Sequence, residues 1–497
     1  MRYYTLSSII LLLPIIIFIL HHFIKNTPRR RAKLPPGPKP WPIIGNIHLL
    51  GSKPHRSLSD LSKAYGPLMS LKLGSVTTIV ISSPDVAKEM FLEHDLAFSS
   101  RRIPDGFRIA GHDKLSVGWL PVCPKWRQLR KVLTIQLFTT QQLDASQGLR
   151  KKKVDELVQF AKARSEKGQA IDIGKAVSTT SLNLLSNTFF SMDFSSYDSS
   201  VSEEFKDLAW HLLEEGARPN VSDFFPLLRP LDLQGVRRRQ IVYFRKMMGF
   251  FERIVEERLG NPRCAKEDVL ATLLKLVKED ELTLDDVKHL LVDMFIAGTD
   301  TTSNVLEWTM TELLRHPEKM TQAQVEIDQV LGQGPSRLIE ESDISNLPYI
   351  QAIVKETLRL HPPVPFLVPR ETNCEVQLCG HHVPKNTQVW VNVWCITHDP
   401  SVWTNPESFI PERFLESEID FKGRNFELIP FGTGRRICPG MPLARRMVDL
   451  ILATLLHDFN WKLKGGLNAE DIDMEEKFGI TLEKAQPLEA IPLSRWL

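Results

Sequence analysis

The chain has 497 residues, 42% of them hydrophobic and 25% charged, with a formal net charge of +2. That is ordinary globular composition with ample material for a large core. A balance so close to neutral gives no bulk electrostatic case for nucleic acid as a partner. Six cysteines, at 123, 264, 374, 379, 395 and 438, contain no C-x-x-C pair, so reduced thiols in a cytosol-facing protein are expected rather than a disulfide framework.

Residues 6–24 are nearly all apolar, broken only by two serines, two histidines and Pro14. At 1.5 Å per residue such a stretch spans the hydrocarbon core of about 30 Å, so an uncleaved transmembrane anchor over residues 1–24 is expected. Lys25, Arg29, Arg30, Arg31 and Lys33 follow it, against Arg2 alone in front, which puts the remainder on the cytosolic side. The Asn220-Val221-Ser222 glycosylation pattern should then never meet the lumenal transferase. Residues 25–42 read as a basic, proline-rich hinge, with Pro35, Pro36, Pro38, Pro40 and Pro42 stiffening it.

Length alone would allow two to four domains. No second linker of that kind follows, however, and no period of 20–50 residues recurs. Residues 43–497 are therefore read as one large domain, mainly α with a minor β-sheet. Met69–Leu73 and Thr77–Ser82 alternate around Gly74-Ser75 and predict a hairpin. From Gln141 to about His316 the apolar spacing is helical. Within that stretch a helix of some thirty residues is predicted from Thr283 to His316, a rod of about 50 Å. Asp285 and Asp286 favour its N-terminus, and Pro317 follows its end. Its centre, Ala297-Gly-Thr-Asp-Thr-Thr-Ser303, is a run of poor helix formers. There hydroxyls should compete for backbone carbonyls and open a bulge or groove, unless the run only accommodates a close crossing. Arg150–Lys153 and Arg237–Arg239 read as solvated charge runs.

The informative stretch is Pro-Phe431-Gly-Thr-Gly434-Arg-Arg436-Ile-Cys438-Pro-Gly440. A thiolate at 438 could donate strongly to haem iron and favour O–O cleavage. Gly434 and Gly440 let backbone approach a flat macrocycle. Backbone N–H groups entering the next helix can stabilise the sulfur, and Arg436 can pair with a haem propionate. Phe431 can shield the thiolate from water. Gly432-Thr-Gly434 starts a dinucleotide-like G-x-G, but Ile437 stands where the third glycine belongs. No other nicotinamide or flavin fingerprint is found, so electrons would come from a separate flavoprotein.

With this loop in place the chain resembles the plant microsomal cytochrome P-450s over essentially its whole length. Trp126-Arg-Gln-Leu-Arg130 resembles that family's W-x-x-x-R, Glu356-Thr-Leu-Arg359 its E-x-x-R and Pro411-Glu-Arg-Phe414 its P-E-R-F. The resemblance implies haem b (iron protoporphyrin IX) between a long central helix and the Cys438 loop. It puts Trp126, Arg130, Arg436 and, by a looser match, Arg370 at the propionates, and makes Glu356, Arg359 and Arg413 an ion network behind the haem. Asp300 and Thr301 would be the acid and alcohol that pass protons to the distal oxygen. The long runs at 181–191, 223–239, 426–444 and 473–482 resemble the geraniol 8-hydroxylase type.

That likeness implies hydroxylation of a small apolar plant metabolite, a terpenoid and most simply a monoterpene alcohol. A diterpenoid, a prenylated phenol and a tyrosine-like aromatic are the alternatives. It implies NADPH-cytochrome P-450 reductase as partner, the endoplasmic reticulum membrane as location, and a pocket of Phe107, Ile109, Ala110, Ala297, Val364, Phe366, Leu367, Phe478 and Ile480. Arg127, Lys131, Arg435, Arg445 and Arg446 could form a positive face for the reductase. Two other classes remain: an electron-independent haem isomerase or dehydratase, and a haem protein that only binds ligand. A requirement for NADPH, reductase and O₂ together separates them from a monooxygenase.

Overall fold

The computed structural model describes residues 33–197, 203–260, 267–332, 334 and 337–496. The apolar segment 6–24 lies outside them, as do the basic residues 25–31 and Cys264. No helix among the described residues is long and apolar enough to cross a membrane. The longer helices are α1 (Pro54–Tyr65), α2 (Pro84–Leu92), α3 (Pro124–Leu133), α4 (Gln147–Glu166), α5 (Ile173–Phe190) and α6 (Glu203–Ala217). They continue with α7 (Val236–Gly260), α8 (Val269–Lys278), α9 (Leu284–Arg315), α10 (Pro317–Leu331), α11 (Pro348–Leu360) and α12 (Met441–Asp458). The strands that matter for the site are β1 (Leu68–Leu73), β2 (Val76–Ile81), β3 (Ser100–Arg101), β4 (Arg370–Glu371), β5 (Gln388–Val391), β6 (Glu476–Phe478) and β7 (Leu482–Lys484). The predominance of helix, the early hairpin and the long helical middle agree with the sequence reading.

Helix α9 is the axle. Its start is a reciprocal cap: Asp286 N–H donates to Thr283 Oγ1 at 3.1 Å, and Thr283 N–H returns to Asp286 Oδ2 at 2.8 Å. Such a cap contributes about 1 kcal/mol. Lys125 of α3 reaches the same carboxylate at 2.5 Å. Most of its side chains are buried, among them Leu290, Leu291, Phe295, Leu306, Trp308 and Leu313, as expected of a helix apolar on most sides and packed against α5, α7, α11 and α12.

The central run does not break the helix. Thr299, Thr301 and Ser303 do bond back to carbonyls one turn earlier, to Phe295 O at 3.0 Å, Ala297 O at 2.9 Å and Thr299 O at 3.3 Å. The α-helix nevertheless runs through without a bulge. Gly298 sits at a close crossing: a Cβ there would come 2.8 Å from Leu185 Cδ1 of α5, and that side chain would have to shift. The close crossing is the correct account, and the expected bulge is not present.

One sheet runs in the order β1-β2-β5-β4-β3. β1 and β2 are antiparallel with Leu71 opposite Thr78, β2 and β5 are parallel, and the short β3 and β4 pair antiparallel at the edge. Hairpin β6–β7 stands apart, with Phe478 opposite Leu482. Its backbone is clamped to α9, because Leu482 O accepts from Asn304 Nδ2 at 3.0 Å and Trp308 Nε1 at 3.4 Å.

The expected ion network exists and is buried. Arg359 and Glu356, both 0% exposed, form two parallel bonds of 2.7 and 2.8 Å, and Arg413 Nε joins Glu356 Oε1 at 3.1 Å. Arg359 also donates to the carbonyls of Thr397, Pro406 and Ser408, so it ties α11 to the chain that precedes the Cys438 loop. The run at Arg150–Lys153 departs from expectation, since Arg150 and Lys153 are fully buried. Ser146 and the distant Glu341 take the Arg150 guanidinium, and Glu156 and the distant Asp193 take the Lys153 ammonium; a local charge count does not see Glu341 or Asp193. Arg237 and Arg238 are exposed as read. Removing Glu356 strands two guanidinia, so Glu356→Ala should cost about 3–5 kcal/mol in denaturant unfolding. Lys151→Ala, which removes a surface pair with Glu340, should stay within about 0.5 kcal/mol.

Candidate functional site

The loop before α12 is held by its own backbone. Cys438 N–H donates to Phe431 O at 2.9 Å and Ile437 N–H to Gly434 O at 3.1 Å. Gly434 has φ +69°, and a Cβ there would lie 2.8 Å from Asp95, so the turn needs glycine. Gly440 is different: it has ordinary helical φ and N-caps α12, with room for a Cβ 3.9 Å from Cys438 Sγ. Burial pushes the Cys438 thiol up, while the Gly440 and Met441 N–H groups and the Arg130 charge pull it down. A sulfur at the N-terminus of an 18-residue helix is placed to carry negative charge. Phe431 packs on Phe421, ring centroids 5.4 Å apart, beside the loop.

Around the loop, positive charge accumulates. The β3–β4 pairing sets Arg101 directly opposite Arg370, an arrangement that is unfavourable for like charges. Arg436, on the loop, donates to Ser99 O at 3.0 Å and lies over the Trp126 ring at 4.8 Å. Arg130 of α3 reaches Ile437 O. Burial, with repulsion from Arg370, Arg436 and Arg130, holds Arg101 well below its ordinary value. Burial likewise brings Arg370 to about 10 and, with the Arg370 and Arg130 charges, Arg436 to about 9. Asp95 offers one carboxylate, 3.4 Å from Arg370 Nη1 and 3.1 Å from Arg435 N. The Nε atoms of Arg101 and Arg370 are buried without hydrogen-bond partners.

Four guanidinia facing one another, two with orphaned donors, fit a group that brings at least two carboxylates. A haem, with its two propionates and an iron able to take a thiolate, meets that demand. Arg101 and Asp95 were not read from the sequence, because only the β3–β4 pairing brings them to the loop. Trp126 and Arg130 share one face of α3 as predicted, yet the Trp126 indole N–H donates to Val117 O at 3.0 Å. That carbonyl belongs to a turn pinned by a third unforeseen residue, Asp293 of α9, which accepts from Ser116 Oγ at 2.6 Å and Val117 N at 2.7 Å. Burial raises Asp293 to about 7.

Helix α9, hairpin β6–β7 and the segment 363–367 meet one another. Leu482 N donates to Pro363 O at 2.8 Å, and Leu367 Cδ1 lies 3.7 Å from where a Gly432 Cβ would stand. Ala297 is exposed and Thr301 half-buried in the middle of an otherwise buried helix, so they border open space. Val364, Leu367 and Ile480 are also partly open and Ala110 is exposed. Phe107, Ile109 and Phe366 are buried in core packing: Phe107 against Trp119, and Phe366 against Trp390 and Phe478. Asp300 does not bond Thr301. Its Oδ2 accepts from Thr481 Oγ1 at 3.0 Å, and it borders a cavity of about 40 Å³ beside Trp210 and Thr299.

The sequence that builds this arginine-ringed thiol loop has counterparts among known proteins. The cytochrome P-450 family profile matches residues 35–488. The chain belongs to the cytochrome P-450 family. It is 55% identical to a cytochrome P-450 monooxygenase of Lophophora williamsii, over 99% of this chain and 100% of that one. It is 53% identical to geraniol 8-hydroxylase of Catharanthus roseus, over 93% and 94%. It is 48% identical to geranylhydroquinone 3''-hydroxylase of Arnebia euchroma, over 94% and 96%. As a cytochrome P-450 the chain is a monooxygenase and takes a haem.

The expected positive face is thinner than read. Arg127 and Lys131 are exposed, but Arg435 pairs with Asp95 at 3.4 Å, Arg445 with Asp449 at 3.6 Å and Arg446 with Asp144 at 2.7 Å. The arginine ring generates a test with opposite signs. Arg101→Leu should stabilise the haem-free chain against denaturant by about 1 kcal/mol or more, because a repelling buried charge is removed. The same variant should retain less haem after gel filtration, measured as haem per chain.

Proposed function

We propose that this cytochrome P-450 hydroxylates a geranyl-type terpenoid, with Cys438 as the iron ligand and Asp300 and Thr301 as the acid and alcohol of proton delivery. The observation that carries the ligand assignment is the Cys438 thiol, set on the α12 N-terminus inside a ring of buried arginines. When bound, the haem supplies O₂ activation, with a thiolate donor favouring O–O cleavage. Arg101, Arg130, Arg370 and Arg436 hold its carboxylates. Gly440 and Met441 N–H groups stabilise the sulfur's charge. Phe431 keeps water from the thiolate. Electrons come from NADPH through a separate reductase, and exposed Arg127 and Lys131 are available to meet its acidic surface. Residues 1–24 anchor the chain in the endoplasmic reticulum membrane, with 25–42 as a hinge to the haem domain.

Thr301 Oγ1 donates to Ala297 O at 2.9 Å. Rotation about its χ1 would turn the hydroxyl toward the open space, where it could order water for proton delivery. Ala297, Val364, Leu367 and Ile480 offer an apolar wall that positions a hydrocarbon by shape. Two of the named relatives share a geranyl unit in the compounds their names specify, which supports a prenyl chain as the common element.

The test is turnover of a panel of geraniol, geranylated phenols and diterpenes with reductase, NADPH and O₂. Geranyl compounds should be oxidised, and omitting any one of reductase, NADPH or O₂ should abolish product. Product without reductase would point to an isomerase or dehydratase. Thr301→Ala and Asp300→Asn should keep haem while NADPH consumption yields hydrogen peroxide instead of product, the loss of a proton donor costing ~10²–10⁴-fold in that step. Unchanged product per NADPH in both variants would make these residues structural.

A further inference from the structure

Thr481, near the tip of hairpin β6–β7, is buried and touches two carboxyl groups. Its Oγ1 lies 3.0 Å from Oδ2 of Asp300 and 2.8 Å from Oε1 of Glu483. A hydroxyl has one proton to donate. It satisfies both oxygens fully when one carboxyl carries a proton and donates back to Oγ1. The three groups are therefore in line for proton exchange, and Glu483 is only half-buried.

We propose that Glu483 and Thr481 form a relay that reloads Asp300 with protons from solvent. The proton on Glu483 Oε1 moves to Thr481 Oγ1 while the Thr481 hydroxyl proton moves to Asp300 Oδ2. One proton leaves Glu483, one arrives at Asp300, and no other bond changes. Water then reprotonates Glu483, and the hydroxyl turns back. The relay rests on the reading of Asp300 as the acid of the pair, and both residues act through Asp300 as positioning residues.

The charges around Glu483 suit this role. Asp300 and Glu307 face it from α9, and Lys477 approaches from β6, itself paired with Glu214 of α6 at 3.2 Å. Lys484, next on β7, is drawn toward Glu307 and Asp473. Burial first, and then the Asp300 charge, raises Glu483 to about 7. It is loaded below that pH and empties above it. A purely architectural role is already filled, because Asn304, Trp308 and Pro363 hold the hairpin backbone through Leu482.

The experiment uses the haem-loaded full chain with reductase and the panel compound turned over fastest. In wild type, product per NADPH should fall as pH rises through about 7. Glu483→Gln and Thr481→Val should raise peroxide per NADPH at every pH and flatten that profile, with proton supply slowed about 10²-fold. Glu483→Asp should restore part of the coupling. Independently of turnover, infrared titration of wild type minus Glu483→Gln should show one protonated carboxyl with a midpoint near 7. The subtraction matters because Asp293 and Asp449 also titrate near 7. If Asp300→Asn uncouples while Glu483→Gln and Thr481→Val do not, the relay is wrong and the acid-alcohol reading stands. If Asp300→Asn also leaves coupling unchanged, both fail. A difference spectrum without the carboxyl overturns the relay even when no compound is turned over.

Discussion

Buried positive charge is the constraint on which the site depends. Arg101 and Arg370 are set against each other by strand pairing, and Arg130 and Arg436 close on them from α3 and the Cys438 loop. Isolated guanidinia in such a place cost several kcal/mol each unless they are paired. Asp95 answers part of that demand, and the arrangement is relieved when a carboxylate-bearing cofactor enters. The same electrostatics reach the sulfur, since Arg130 and the α12 N-terminus both favour a thiolate at Cys438. Those two influences oppose the burial that raises the Cys438 thiol.

Helix α9 divides its labour by face. Leu290, Phe295 and Leu313 bury it in the core, Gly298 lies against Leu185 of α5, and Ala297 and Thr301 are left partly open. Asp293 and Asp300, two turns apart, look to different partners. The first pins the turn whose carbonyls hold Trp126 and Arg436, and the second meets the β6–β7 hairpin. The poor helix formers at 297–303 cost the helix propensity without breaking it, because the hydroxyls bond back to the preceding turn.

What was legible in the sequence was local. The Cys438 loop packs five chemically specified positions into ten residues, and the ends of α9 are written by Thr283, Asp286 and Pro317. Hairpin β1–β2 follows from alternation around Gly74-Ser75. What was hidden depends on distant partners. Arg101 and Asp95 reach the Cys438 loop and its arginines only through the β3–β4 pairing and the Gly434 turn. Thr481 and Glu483 acquire meaning only when the hairpin docks on α9. Arg150 and Lys153 look like solvated charge until Glu341 and Asp193 are brought to them. Phe107, Ile109 and Phe366 are apolar and near the right loops, but apolar identity alone does not tell a pocket wall from core.

The central claim is that Cys438 binds the iron within the arginine ring. X-ray absorption at the iron edge of the haem-loaded chain measures this directly. Wild type should show one sulfur neighbour at bonding distance, and Cys438→Ser should lose it, while Ala replacements at Cys123, Cys374, Cys379 and Cys395 should keep it. An iron–sulfur signal that persists in Cys438→Ser, or its absence from wild type, would contradict the assignment.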